Sequence, residues 1–204
     1  MKKVKNIQEE ISRRNEIWKA ASKKERAVLV AQDVLDRLSD GQIIAEQQIW
    51  LNFADTCSYN ETVPLQECVL GGEKCNCCAQ GALMMGLIGW RNRVDSSSLN
   101  RRGALEPGDD GQFNLNDIFS ATQQEMIEQA FEDGYGQNGF NWDDDNLDYL
   151  EDVDEIKAAL KCKNTKSDER NLRIRLFHRS FKTEKDLMRG IMKNIIKNEG
   201  VFIP

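Results

Sequence analysis

The chain has 204 residues, 40% of them apolar and 30% charged, with a formal net charge of −6 and six cysteines. That is enough length for one full hydrophobic core, and the composition excludes wholesale disorder. No apolar run approaches the roughly 18 residues that span a bilayer, and the basic start, Met1-Lys2-Lys3-Val4-Lys5, lacks the apolar stretch of a secretory signal. The expectation is a cytoplasmic protein that contacts no membrane and whose thiols stay reduced.

Asn6 to Ala21 carries Ile7, Ile11 and Trp18 at near-helical spacing and reads as an amphipathic helix. Ser22-Lys23-Lys24-Glu25 then forms a capping box, with the serine and the glutamate each satisfying a free N–H of the other's backbone. The helix it opens aligns Ala27, Val30, Ala31, Val34, Leu35 and Leu38, and Asp40-Gly41 closes it. Gln42 to Phe53, with Ile43, Ile44 and Ile49, reads as one or two short strands. Residues 54–75 hold Pro64 and Gly71-Gly72 without a clean period and read as an irregular, cysteine-containing segment. Asn76 to Trp90 reads as a buried helix whose Ala79, Ala82 and Gly86 admit a second backbone closely. Arg91 to Phe113 reads as a long loop. A second capping pattern at Ser120-Ala121-Thr122-Gln123 opens a helix with Met126, Ile127, Ala130 and Phe131 inward. Residues 135–152 form an acidic, glycine-rich loop, and Val153 to Leu160 a short helix. Leu172 to Phe181 is helix or strand, and Thr183 caps a last helix with a Leu187, Ile191, Ile195 stripe. Gly200 ends that helix, and Val201-Phe202-Ile203 is extended, placed to pair with the 43–51 strand. The fold class expected is mainly α: a single domain, 1–204, of about six helices, with a minor β element from parts of 42–53 and the C-terminal tail.

Charge is unevenly spread. Residues 106–155 contain sixteen Asp and Glu and no Lys or Arg, whereas 156–204 contain thirteen Lys and Arg against five acids. The two segments neutralise each other in the folded chain, or the acidic one docks a basic partner. On the second reading Asp143, Asp144, Asp145, Asp148, Glu151 and Asp152 are the partner-binding residues. Asp144, Asn146, Asp148 and Glu155 also fall at oxygen-ligand positions of a calcium loop, but Tyr149 stands where that loop needs glycine. Arg170, Arg173, Arg175 and Arg179 interleave with apolar residues as a nucleic-acid surface does, but overall acidity argues against that partner.

Five cysteines lie between Cys57 and Cys78, and Cys162 stands apart. Cys75-Asn76-Cys77-Cys78 contains a C-x-x-C pair ahead of a helix, where unpaired N–H groups favour thiolate. One structural zinc held by Cys57, Cys68, Cys75 and Cys78 is one reading. A redox dithiol is a second, although a thioredoxin-type strand ahead of it is missing. Cysteines acting as small buried apolar residues, with no cofactor, are the third. A disulfide framework does not suit the reducing compartment. His178 is the only histidine, and no nucleophile is tied to it; no phosphate-binding glycine motif is present. The sequence leans away from an enzyme, with a hydrolase or nucleotide-binding protein built from carboxylates and the 91–113 loop as the alternative.

Four segments carry a resemblance: Ala31-Gln32-Asp33-Val34-Leu35, Cys78-Ala79-Gln80-Gly81-Ala82-Leu83, Met126 to Glu132, and Leu187 to Pro204. Together they resemble a group of small proteins encoded by bacteriophages and prophages, to which no activity attaches. The resemblance implies an intracellular viral protein, in host cytoplasm, that binds a host or viral protein. Of the cysteines only Cys78 matches the group's pattern, and the other four of the cluster depart from it.

Overall fold

The structure is a computed structural model, and it describes residues 6–53, 65–91, 115–132 and 153–204. Among them the protein is mainly helical with one small sheet. Helix α1 (Ile7–Ala20) starts at Asn6, whose side chain accepts from the Glu9 N–H. Helix α2 (Lys23–Ser39) has the expected capping box, with the Ser22 N–H donating to Glu25 at 2.7 Å. It stops where Gly41 takes φ +73°, a value that glycine adopts without steric cost.

Strands β1 (Ile43–Ala45), β2 (Leu51–Phe53) and β3 (Cys75–Cys77) form a sheet in the order β1-β3-β2, parallel between β1 and β3 and antiparallel between β2 and β3. The register sets Ile43 and Phe53 beside Cys75 and Leu51 beside Cys77, so all five lie on the buried face, while Asn76 pairs across the other face with Glu46 at 2.6 Å. Cys75 and Cys77 therefore take apolar positions of the central strand.

Helix α3 (Leu65–Gly71) occupies part of the segment that reads as irregular, because Leu65, Val69 and Leu70 give it a buried face despite the flanking Pro64 and glycines. Cys68, on α3, is disulfide-bonded, which corrects the expectation of free thiols throughout. Helix α4 (Ala79–Trp90) is buried on nearly every side. Gly86 lets α2 approach closely, since a Cβ would lie 3.0 Å from Val30 and 3.1 Å from Val34, tight enough that these side chains would have to give. After a 3-10 turn at Leu115–Asp117 come α5 (Ala121–Phe131), α6 (Val153–Ala159), α7 (Lys166–Arg179) and α8 (Glu184–Lys197). Helix α7 begins six residues before the sequence pattern suggests, because Thr165 and Asp168 form a capping box. Among the described residues α2 packs against both α4 and α8, at the centre of the core.

The tail does not join the sheet. Gln123 holds Phe202 in a two-bond clamp, accepting from its N–H at 2.6 Å and donating to its carbonyl at 3.1 Å. Asn194 grips Ile203 the same way, at 2.8 and 2.6 Å. Two side-chain amides thus satisfy the tail's backbone, and the Phe202 ring packs edge-on against Phe177 at 5.2 Å. The Gln123 side chain is consequently absent from its expected capping box, although Ser120 does cap α5. No helix among the described residues is long and apolar enough to cross a membrane.

One polar network sits inside this apolar core. Asp33 accepts from Arg37 Nε at 2.6 Å and from Arg14 Nη1 at 2.9 Å. Arg37, fully buried, also donates to Gln42 at 2.8 Å and to the Val69 carbonyl at 2.7 Å. Arg14 reaches Glu10 at 2.7 Å and the Gly89 carbonyl at 3.3 Å, and its guanidinium lies 4.7 Å from the Trp90 ring centre. Removing one member of such a network leaves a buried charge uncompensated and costs about 3–5 kcal/mol. Asp33→Ala is expected to lower the unfolding free energy by about that much, measured by urea denaturation, whereas Asp36→Ala on the solvent side of the same helix is expected to leave it within about 0.5 kcal/mol.

Candidate metal centre

The chain passes from β3 directly into α4 at Cys78, which is the N-cap of α4. Its Sγ takes the position a serine oxygen usually fills, accepting from the Gly81 N–H at 3.5 Å. Gly81 itself cannot be replaced, since a Cβ there would lie 1.5 Å from the Trp50 carbonyl oxygen. The strand–helix junction is therefore pressed against the chain at Ile49 and Trp50, and Cys78 faces α5.

Helix α5 supplies Glu128 and, one turn later, Glu132, which projects to the same side. The Cys78 thiol donates to the Glu128 carboxyl, with Sγ 3.7 and 3.8 Å from its two oxygens. Glu132 accepts the Gln48 N–H at 2.8 and 3.1 Å. Gln48 adopts φ +61°, in the left-handed region that favours glycine, and the turn it makes aims that N–H at Glu132. All three side chains are buried, and one ligand atom from each lies within 4.8 Å of the others.

Three acidic groups share a dry site, and their protonation reflects it. Burial, reinforced by Glu132, pushes the Glu128 carboxyl up to about 7, against the Cys78 hydrogen bond. Burial also pushes Glu132 up to about 7; the Gln48 N–H opposes the shift and Glu184 adds to it. The Cys78 thiol is raised above its ordinary range by burial first and by Glu128 second, against the Gly81 N–H. Among the described residues no cationic side chain is one of the groups that set these protonation states.

The donor set fits a divalent ion. With Zn–S near 2.3 Å and Zn–O near 2.1 Å, a tetrahedral sulfur–oxygen edge is about 3.6 Å long, close to the 3.7 Å between Cys78 and Glu128. One thiolate with two carboxylates suits zinc, iron or cobalt better than calcium or magnesium, which prefer oxygen alone.

Only Cys78 of the four cysteines expected to hold zinc belongs to this cluster. Cys68 is spent in a disulfide, and Cys75 points its thiol at the Asn76 carbonyl at 3.4 Å. Cys57 lies outside the described residues, as do Asp143, Asp144, Asp145, Asp148, Glu151, Asp152 and nearly all of the 91–113 and 135–152 loops. The Cys77 thiol is raised well above its ordinary range, chiefly by burial and then by Cys75, which does not suit a reactive dithiol. Cys162 is exposed and free, on the far side of α6 in sequence. His178 places Nδ1 2.9 Å from the Ala130 carbonyl oxygen. The residues sequence reasoning missed are Glu128 and Glu132; two glutamates one turn apart, beside the inward Ile127 and Phe131, are the signal. No family model, curated protein or solved structure matches the chain.

The two carboxyls set a direction for pH dependence. Both are raised in the folded state above the ordinary 4.5, so their contribution to stability is fully present below 4.5 and is lost as pH rises through about 7. Thermal melts of chelator-treated protein are expected to show a higher Tm at pH 5 than at pH 8 from this source, and Glu128→Gln is expected to flatten the difference.

Proposed function

We propose that this chain is a divalent-cation-binding protein in which Cys78, Glu128 and Glu132 hold one ion of the zinc class. The observation that carries the reading is three buried acidic donors, mutually within 4.8 Å, with no cationic side chain among the described residues setting their protonation. Burial and mutual repulsion oppose ionisation of these groups, and a dication would offset both by attracting their ionised forms. The ion ties the start of α4 to the end of α5, and through the Gln48 N–H to the turn between β1 and β2. Its role is structural, because the ligands are buried and binding free energy at such a site is folding free energy.

Elemental analysis of untagged protein purified without added metal is expected to find about one ion per chain, and chelation is expected to lower Tm. Cys78→Ser and Glu128→Gln/Glu132→Gln are expected to lose the ion. A metal-free protein whose Tm is unmoved by either zinc or chelator would remove the ion from the account.

A second reading rests on the charge pattern. Residues 106–155, with sixteen acids and no Lys or Arg, bind a basic host or viral protein without catalysis. On this reading the chain is phage-encoded and works in the host cytoplasm, as the four resembling segments imply. The Cys68 disulfide weighs against a reducing compartment, and trapping thiols with an alkylating reagent at lysis tests that setting. Asp143→Asn/Asp144→Asn/Asp145→Asn is expected to weaken capture of a basic partner while leaving the melting temperature in place, and unchanged capture would discard the segment as the docking element.

A further inference from the structure

Helix α8 buries Leu187, Met188, Ile191, Met192 and Ile195, and these residues define its inner face. At 100° per residue the opposite face carries Lys185, Arg189, Lys193 and Lys197, spaced four apart, with Asp186 among them. Asp186 is already committed: it accepts from Arg189 at 2.7 Å and from the Thr183 hydroxyl at 2.8 Å. Glu184, in the same first turn, points at the Gln47 N–H at 3.4 Å. Lys185, Lys193 and Lys197 are exposed and have no ion-pair partner among the described residues. Lys182, just ahead of the helix, is exposed as well, and Glu199 is the first acid after it in sequence.

We infer that the solvent face of α8 is a binding stripe for the phosphate backbone of nucleic acid. The inference is independent of the metal centre. Lys185, Lys193 and Lys197 span twelve residues of helix, about 18 Å, the axial length of about five phosphates of one duplex strand. Each four-residue step turns about 40° around the helix, so the row winds across its solvent side rather than running straight. The occupant follows from what the face lacks. A protein interface needs an apolar centre, and a membrane-surface helix needs apolar side chains to insert. On α8 the bulky apolar side chains are turned inward, and of the exposed large apolar residues among those described, Ile44 lies in β1 and Ile203 in the tail that Asn194 of α8 holds. A contact made by charge alone, without sequence preference, is the contact that a phosphate backbone accepts. The overall acidity that argues against nucleic acid is concentrated in residues 106–155, which contain no part of α8.

The test is binding of the full chain to a fluorescent DNA duplex of arbitrary sequence, titrated at several salt concentrations. Three phosphate contacts, from Lys185, Lys193 and Lys197, predict a slope of log K against log salt near −2.7, which weakens affinity about twenty-fold between 50 and 150 mM. Lys185→Gln/Lys193→Gln/Lys197→Gln touches only exposed side chains, so Tm is expected to hold while the slope falls toward zero. No binding at about 20 mM salt, where such contacts are strongest, would overturn the inference. So would the same affinity and slope in the triple variant, or binding only to phosphatidylserine-containing vesicles.

Discussion

Asp33 is the residue on which the arrangement of the first four helices turns. Its carboxylate holds two arginines from opposite sides, Arg37 from its own helix and Arg14 from α1. Those arginines then reach the last carbonyls of neighbouring elements, Val69 near the end of α3 and Gly89 near the end of α4. Helix ends leave carbonyls without partners, and buried carbonyls must find donors. Two guanidiniums answer that need at two helix ends at once. Gln66 adds a further donor to Gly89 at 3.2 Å, and Gln42 another to Val69 at 2.7 Å. Apolar contact alone would let these helices slide; directional bonds to fixed carbonyls set their register.

That register positions the thiol–carboxylate cluster. Helix α4 is anchored at its C-terminal end by the arginine network and at its N-terminal end by contact of Gly81 with Trp50. Cys78 is therefore held from both sides of α4. Glu128 and Glu132 come from a helix placed by different forces, since α5 is tied to the tail through Gln123. The site exists only where these two independently fixed parts meet. The backbone of Gln48, in a left-handed conformation that costs a non-glycine residue about 1–2 kcal/mol, is retained because its N–H serves a buried carboxyl.

Charge in this molecule is sorted by element. Opposite charges inside the core are matched within single networks, as at Asp33. On α8 the apolar stripe lies against α2, and Lys185, Lys193 and Lys197 are exposed beside the Asp186–Arg189 pair. The consequence is a basic face on a protein whose formal charge is −6. Net charge describes long-range repulsion and steering, while contact at a few ångströms is governed by the local pattern, because salt screens beyond about 10 Å.

Helices were legible wherever capping and periodicity coincided. Ser22 with Glu25, and Thr183 ahead of the Leu187, Ile191, Ile195 stripe, mark α2 and α8 by purely local chemistry, so their positions follow from neighbouring residues alone. The strand at Cys75–Cys77 and the helix at Leu65–Gly71 were not legible, since three to seven residues carry too little period and take their structure from partners distant in sequence. The C-terminal tail shows the converse: its extended form was readable, but its partners are the Gln123 and Asn194 side chains rather than a strand. The cysteines follow the same division. Sequence placed Cys78 at a helix entrance, and only the tertiary structure decided that its neighbours are two glutamates fifty and more residues away rather than other thiols. Local hydrogen bonding and periodicity are properties of adjacent residues and are written in the sequence. Which buried groups share a site is decided by packing between elements, and no local pattern encodes it.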